Sequence, residues 1–172
     1  MASLRDLIDP AAIALDARVP DWEEAIRASG RLLEATGVAE SAYTESMVDS
    51  VQKNGPYIVV APGFAFAHAR PSEAVLRTGM SWVRLAEPVE FGHKSNDPVT
   101  LVVALAAKDS EMHQAAMASL ARLLGDTAKR AALENALEEA VGQLVDGVVG
   151  VDCGHGRWVL LCGPRDAVIW RV

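Results

Sequence analysis

The residues with most chemical capacity in this chain are its four histidines, His68, His93, His113 and His155. No serine in a G-x-S-x-G elbow accompanies them, nor a phosphate-binding G-x-x-x-x-G-K-[ST] loop, a G-x-G-x-x-G or an H-x-x-x-H pair. His68 ends the apolar stretch "GPYIVVAPGFAFAH" and is followed at once by Ala69, Arg70 and Pro71, whereas His113 stands near the start of a helical pattern in "SEMHQAAMASLARLLGD". A neutral imidazole is a good nucleophile toward phosphorus. A second histidine can orient it or neutralise developing charge, and an arginine two residues on can hold a dianionic phosphoryl group. Backbone N–H groups at a helix start would add to such an anion site. Spacing alone also allows a plainer reading, and favours it: two partly buried histidines satisfied by backbone carbonyls, with Arg70 a surface charge.

For His68 and His113 to meet, the elements around them must converge. "PDWEEAIRASGRLLEATG" has Asp21 three residues before Glu24, a capping-box pattern, and Trp22, Ile26, Leu32 and Leu33 at helical spacing, which predicts an amphipathic helix ending near Gly37. A second helix is predicted over "SAYTESMVDSVQKNG", with Tyr43, Met47, Val48 and Val51 on one face and Asn54-Gly55 as its stop. "YIVVA" and, past the Pro62-Gly63 turn, "FAFAH" are β-branched or aromatic and too short for stable helices, so they read as extended. "GMSWVRL" (79–85) and "VTLVVALAA" (99–107) are further strands, the second so apolar that it belongs at the centre of a sheet, buried on both faces. Between them "AEPVEFGHKSNDP" reads as a loop with room for a short extended piece. The helix opening at Ser110 should bury Met112, Ala116, Leu120 and Leu123 or Leu124, and "TAKRAALENALEEAVGQLVDG" reads as two short helices divided near Asn135. Helices interleaved with strands argue for an α/β fold, a sheet covered by helices. In that architecture strand ends and following helix starts meet at one sheet edge, which would make His68 and His113 neighbours.

With 172 residues, 51% hydrophobic and 23% charged, the chain suits one globular domain with a real core. A formal charge of −7 argues against a nucleic-acid partner, because that affinity rests on clustered Lys and Arg. No apolar run reaches the ~20 residues that span a bilayer. "MASLRDLIDP" also lacks the basic start and long apolar stretch of a signal peptide, so no membrane insertion is expected and the cytoplasm is the expected location. Two cysteines, Cys153 and Cys162, are too few and too local for a disulfide scaffold.

The segment "GPYIVVAPGFAFAHARP" resembles the phosphorylation-site segment of the enzyme IIA component of the bacterial phosphoenolpyruvate-dependent sugar phosphotransferase system, in the mannitol/fructose-type superfamily and, within it, the ascorbate-like branch. Gly55-Pro56-Tyr57, Ala61-Pro62-Gly63 and His68-Ala69-Arg70-Pro71 carry the likeness. "PVEFGHKSNDPVTLVVALAAKDSEMHQ" extends it through the His93 loop, the Asn96-Asp97-Pro98 turn and the stretch from Asp109 to His113, so that it spans about residues 3 to 147. The resemblance implies a mixed β-sheet flanked by helices. It also implies a phosphotransferase of sugar uptake, of the ascorbate type, in which His68 takes a phosphoryl group from the phosphocarrier protein HPr and passes it to a cysteine of a IIB component. His113 would support His68 without being phosphorylated, Arg70 would bind phosphate, and no metal or organic cofactor is implied. The alternative is a regulatory or interaction module of the same fold, signalling through the phosphorylation state of His68 or no longer phosphorylated.

Three features depart from the family pattern. Ala67 replaces the proline common before the active histidine, which restores an N–H and leaves the segment freer or with an extra hydrogen bond. An arginine upstream of the active histidine in the mannitol branch has no match, Gln52 standing near its place. The tail from about residue 148 resembles nothing in the family, so the expected layout is an enzyme IIA domain over 1–147 and an atypical extension over 148–172, read as a pair of strands.

Tyr57, Phe64 and Phe66 would form an apolar rim around His68 on which two partner proteins dock in turn. Trp158 and Trp170 are apolar anchors for packing or for a homodimer. His93 with Asp97 would rim the site or grip a partner, although a solvated loop histidine is the favoured reading. Cys153, His155 and Cys162 form a C-x-H-x₆-C pattern with only three ligands and no common zinc spacing, so no metal site is expected.

Overall fold

The uniformly apolar run after Pro98 forms the middle strand of a five-stranded sheet. In the computed structural model of the chain, which describes residues 7–126, 128, 149–152, 157–162 and 167–171, this strand is β5 (Val99–Ala106). It pairs antiparallel with β4 (Gly79–Val89) on one side and parallel with β3 (Phe64–His68) on the other. At the edges β1 (Ile8–Ala17) lies parallel to β4, and β2 (Val59–Ala61) antiparallel to β3. The sheet is therefore mixed. All of β5 except Thr100 is buried, as a strand covered on both faces requires.

Two helices, α1 (Trp22–Ala35) and α2 (Ser41–Asn54), pack on one face of this sheet, and α3 (Ser110–Gly125) follows β5. The face that meets α1 and α2 is built from Ala65, Ala67, Val83, Val102 and Ala104, small side chains that let Ile26, Leu33, Tyr43, Met47 and Val48 of the helices come close. Because side chains alternate along a strand, Phe64 and Phe66 point to the opposite face, and both are buried. Fully burying a side chain such as Phe66 contributes about 1.5–3 kcal/mol. The helix signals act as their residue types dictate. The Asp21 carboxylate accepts from the Glu24 N–H at 2.9 Å, while Glu24 turns instead to Arg31 at 2.6 Å and does not close the box. Gly55 ends α2 with φ +79°, and its N–H bonds the Val51 carbonyl at 2.8 Å. On α3, Ala116 and Leu120 are buried and Met112 is half-buried.

Several elements differ from the sequence reading. "IDPAAIALDA" is β1, although its alanines carry no strand signal; only pairing with β4 makes it extended. Pro10 is tolerated there because β1 is an edge strand. Strand β4 runs four residues past Leu85, with an irregular register between Arg84 and Val89. In the tail, β6 (Val149–Asp152), β7 (Arg157–Cys162) and β8 (Ala167–Arg171) form an antiparallel sheet of three strands, where a pair was expected. The two short helices expected within 127–147 fall, Ala128 aside, outside the described residues. Among the described residues no helix is long and apolar enough to cross a membrane.

The contact between α1 and α2 is tight at Gly30, where an added Cβ would overlap the Thr44 side chain, whose hydroxyl is held on Glu34 Oε1 at 2.5 Å. Overpacking of about 1–3 kcal/mol exceeds the helix-propensity gain of about 1 kcal/mol. Gly30→Ala is therefore expected to lower stability by up to about 2 kcal/mol, read as a lower urea midpoint at unchanged m-value.

Candidate functional site

Strands β3 and β5 run in register from Phe64 opposite Leu101 to His68 opposite Leu105. In a parallel ladder the next bond would join the Ala69 N–H to the Leu105 carbonyl. The Tyr43 hydroxyl stands in its place: it accepts from the Ala69 N–H at 3.1 Å and donates to the Leu105 carbonyl at 2.7 Å, with the Ala69 carbonyl 3.3 Å away. Tyr43 is fully buried, and burial pushes its phenol up to about 12, so it stays protonated. Beyond this hydroxyl the strands part, β3 into Arg70-Pro71 and β5 into the start of α3. A cavity of about 400 Å³ opens there, lined by His68, Arg70, Ser110, His113 and Gln114, with Ser50, Asn54 and Tyr57 from the end of α2 and the turn that follows.

His68 sits in this cavity with its protonation pattern set by the main chain. Its Nδ1 lies 2.8 Å from the Phe66 carbonyl oxygen. A carbonyl can only accept, so Nδ1 carries the proton and Nε2 keeps its lone pair. The Tyr57 ring stands edge-on to the imidazole (centroids 5.5 Å apart, 89° between planes), and the Phe66 ring lies 5.4 Å away. Burial holds the His68 pKa below the usual imidazole value; the bond to Phe66 works in the opposite direction, and His113 adds to the lowering.

His113 stands beside it, the two ring centroids 5.3 Å apart. The Asp109 carboxylate accepts from the Met112 N–H at 2.8 Å and so caps α3, and the His113 N–H bonds the Asp109 carbonyl at 3.1 Å. His113 Nδ1 is buried with no hydrogen-bond partner among the described residues. A bare lone pair is cheaper to leave unpaired in a protein interior than an N–H, which places the neutral ring's proton on Nε2. Burial lowers this pKa also. The site thus holds two neutral imidazoles, one with a free nucleophilic nitrogen and one with an N–H donor. Arg70 is exposed at the same cavity and supplies a fixed positive charge.

The fold brings His68, His113 and Arg70 together and leaves other candidates apart. The His93 loop lies at the far end of the sheet, where the Gly63 N–H bonds the Asn96 carbonyl at 2.8 Å and Asn96 Nδ2 bonds the Val59 carbonyl at 2.9 Å. Gly63 precedes β3 and His68 ends it, a separation of about 16 Å at the ordinary rise of a strand, so His93 does not rim the cavity. Its Nδ1 instead accepts from the Ser95 and Asn96 N–H groups, and Asp97 Oδ2 accepts from those of Phe91 and His93, bracing the loop. The expected rim is likewise corrected: Phe64 and Phe66 are core residues, and of the three only Tyr57, 41% exposed, reaches the surface. Gln52 binds Glu23 at 3.0 Å on the helix surface and does not line the cavity. Ala67 lies within β3, buried, opposite Ala104. The Phe66 N–H bonds the Ile58 carbonyl at 2.7 Å, so the Ala67 N–H one residue on faces β5. The donor that proline would lack therefore joins the sheet and does not loosen a loop. Cys153 and His155 lie outside the described residues, and among those described no group of three side chains is placed to hold a metal ion.

Tyr43, Ser50, Asn54, Ser110 and Gln114 escaped the sequence reading as site residues. Tyr43 sat on an apolar helix face, but its hydroxyl was a usable signal, since a buried phenol needs a partner. Asn54 read only as a helix stop, and its Nδ2 does bond the Ser50 carbonyl at 2.8 Å.

Two outcomes follow from this geometry. Tyr43→Phe removes the bridge between Ala69 and Leu105 and is expected to cost about 1–3 kcal/mol in urea unfolding. Both imidazoles titrate below 6.5 when folded, so the unfolded chain binds protons first as pH falls. The stability they contribute is full above pH 6.5 and is lost as pH falls through their folded values. A His68→Gln, His113→Gln double variant should flatten that part of the stability curve, measured as urea midpoint against pH.

Comparison with known proteins places the chain in a family. Residues 6–145 match the family described as "Phosphoenolpyruvate-dependent sugar phosphotransferase system, EIIA 2". The ascorbate-specific PTS system EIIA component of Escherichia coli strain K12 is 44% identical over 112 residues, covering 64% of this chain and 73% of that protein. The solution structure of the mannitol-specific cryptic phosphotransferase enzyme IIA CmtB from E. coli superposes with a TM-score of 0.67 at 32% identity, covering 84% of this chain and 97% of that one. The mannitol enzyme IIA of E. coli, solved in complex with phosphorylated mannitol enzyme IIB, gives a TM-score of 0.62 at 29% identity, over 70% of this chain and 84% of that one.

Proposed function

This chain belongs to the EIIA 2 family of the phosphoenolpyruvate-dependent sugar phosphotransferase system, and we propose that His68 is the residue on which it carries the phosphoryl group. It is a phosphotransferase component of sugar uptake. The observation that carries the assignment is the His68 Nδ1–H bond to the Phe66 carbonyl, which leaves Nε2 unprotonated at a cavity shared with His113 and Arg70. The donor is phospho-HPr: Nε2 attacks phosphorus in line, the Nε2–P bond forms as the donor's N–P bond breaks, and the donor imidazole leaves with its lone pair restored. A thiolate of a IIB component then attacks the same phosphorus, an S–P bond replaces the N–P bond, and His68 returns neutral. Charge in both transition states lies on the three equatorial oxygens. Arg70, the His113 Nε2–H and the N–H groups opening α3 are the donors that stabilise it.

A relative solved with phosphorylated IIB supports the IIB partner, and the ascorbate-specific relative supports ascorbate or a related acidic sugar as the transported substrate. The setting is the cytoplasm. We take residues 1–147 as the phosphoryl-carrying domain and 148–172 as an extension, a division supported by the span of the family match.

Incubation with phosphoenolpyruvate, enzyme I and HPr tests the assignment. Acid-labile label is expected on the wild-type chain and not on His68→Ala; label that persists in His68→Ala overturns it, and a wild-type chain that takes no label is an interaction module of the same fold. Onward transfer to a IIB cysteine separates a carrier from a sensor. His113→Ala and Arg70→Ala should still label His68, about 100-fold more slowly, at the low end of what loss of one transition-state donor costs. Because the folded His68 pKa lies below 6.5, the acceptance rate should be level through neutral pH and fall only below that value, read from initial rates between pH 5 and pH 8.

A further inference from the structure

We propose that Tyr57 is a positioning residue that fixes which nitrogen of the His68 imidazole faces the incoming phosphoryl group; this rests on His68 being the acceptor. Tyr57 is a large, 41% exposed side chain with no share in the core, yet it is held at three points. Its backbone is set by the turn after α2, where its N–H bonds the Gly55 carbonyl at 2.9 Å. Its hydroxyl lies 2.8 Å from Ser50 Oγ and donates to the His68 carbonyl at 3.3 Å. Its ring stands perpendicular to the imidazole at 5.5 Å. Asn54 adds a brace to the same turn of helix, its Nδ2 on the Ser50 carbonyl at 2.8 Å. Tyr57 thus joins the end of α2 to both the main chain and the ring of His68.

The joint matters because an imidazole has two ways to fail as a nucleophile of defined direction. Rotation by half a turn about Cβ–Cγ puts Cδ2 at the Phe66 carbonyl and Cε1 where Nε2 had been, so that a C–H meets the phosphorus. Transfer of the proton from Nδ1 to Nε2 removes the lone pair from the cavity side. Both failures are resisted by the 2.8 Å bond between Nδ1 and the Phe66 carbonyl, and that bond is strong only while water is kept from it. Among the cavity-lining residues Tyr57 alone packs its ring edge-on to His68, which excludes water from one side of the imidazole, and its hydroxyl fixes the carbonyl of the same residue.

The test uses the full chain labelled with ¹⁵N, together with Tyr57→Phe, Tyr57→Leu and Tyr57→Ala. Long-range ¹H–¹⁵N correlations of His68 read the tautomer directly, and initial rates of label uptake from phospho-HPr read its consequence. Wild type should show one tautomer, protonated on Nδ1. Tyr57→Phe should keep that tautomer and take label about two- to tenfold more slowly, the worth of one hydrogen bond. Tyr57→Leu and Tyr57→Ala should show a second tautomer, and the acid limb of their pH–rate profiles should move to higher pH as His68 regains water. A merely structural residue would lower the melting temperature without moving tautomer or acid limb. One tautomer and a wild-type acid limb in both Tyr57→Leu and Tyr57→Ala overturn the proposal; should Tyr57→Ala not fold, Tyr57→Leu decides it. If the wild-type chain takes no label, the assignment of His68 as carrier fails, while the tautomer spectra still decide what Tyr57 does.

Discussion

A single hydroxyl group determines where this fold has a site. Two parallel strands that continued past His68 and Leu105 would zip the sheet shut, and the sheet edge would be a closed ladder with loops above it. The Tyr43 phenol occupies the position of the next ladder bond and satisfies both backbone partners itself. The strands separate at no cost in unpaired groups, which is the condition a buried backbone imposes on any such opening. One strand end then carries His68 and Arg70 to one wall of the gap, and the other leads into the helix start that carries His113. Every distance in the cavity depends on that separation.

Within the gap, charge is used sparingly. Both histidines are held neutral by desolvation, so the resting site presents one guanidinium, oriented N–H groups and a lone pair. That balance suits a group which arrives as a dianion and must also leave. A site with two imidazolium ions would bind the phosphoryl group more firmly and would have no nucleophile to receive it. The low-dielectric setting that suppresses protonation would also strengthen each neutral donor toward an anion in the cavity.

Legibility in the sequence followed the kind of force that shapes each element. Periodicity located α1, α2 and the opening of α3, and the apolar run 99–107 placed β5 at the centre of the sheet, because burial of apolar side chains leaves a direct trace in residue type. The pair His68 and His113 could be placed at one sheet edge from topology alone. What could not be read depended on pairing and not on composition. β1 is extended only because β4 lies beside it, and Phe64 and Phe66 go to the core because of which face the pleat turns inward. The His93 loop resembles a site in sequence, yet it braces the opposite end of the sheet. Tyr43 looked like one more apolar residue on a helix face, since its role lies in a hydroxyl whose partners are main-chain atoms 26 and 62 residues away.

The partner of His68 Nδ1 is a main-chain carbonyl, that of Phe66, and every amino acid at position 66 would supply the same oxygen. The acceptor that aims the imidazole therefore belongs to the main chain of strand β3 and survives any substitution at position 66. Drift at position 66 changes how well the core is filled while the carbonyl that holds Nδ1 of His68 is inherited intact. A comparison of sequences, which records only side chains, would assign position 66 to packing and pass over the atom that orients the imidazole.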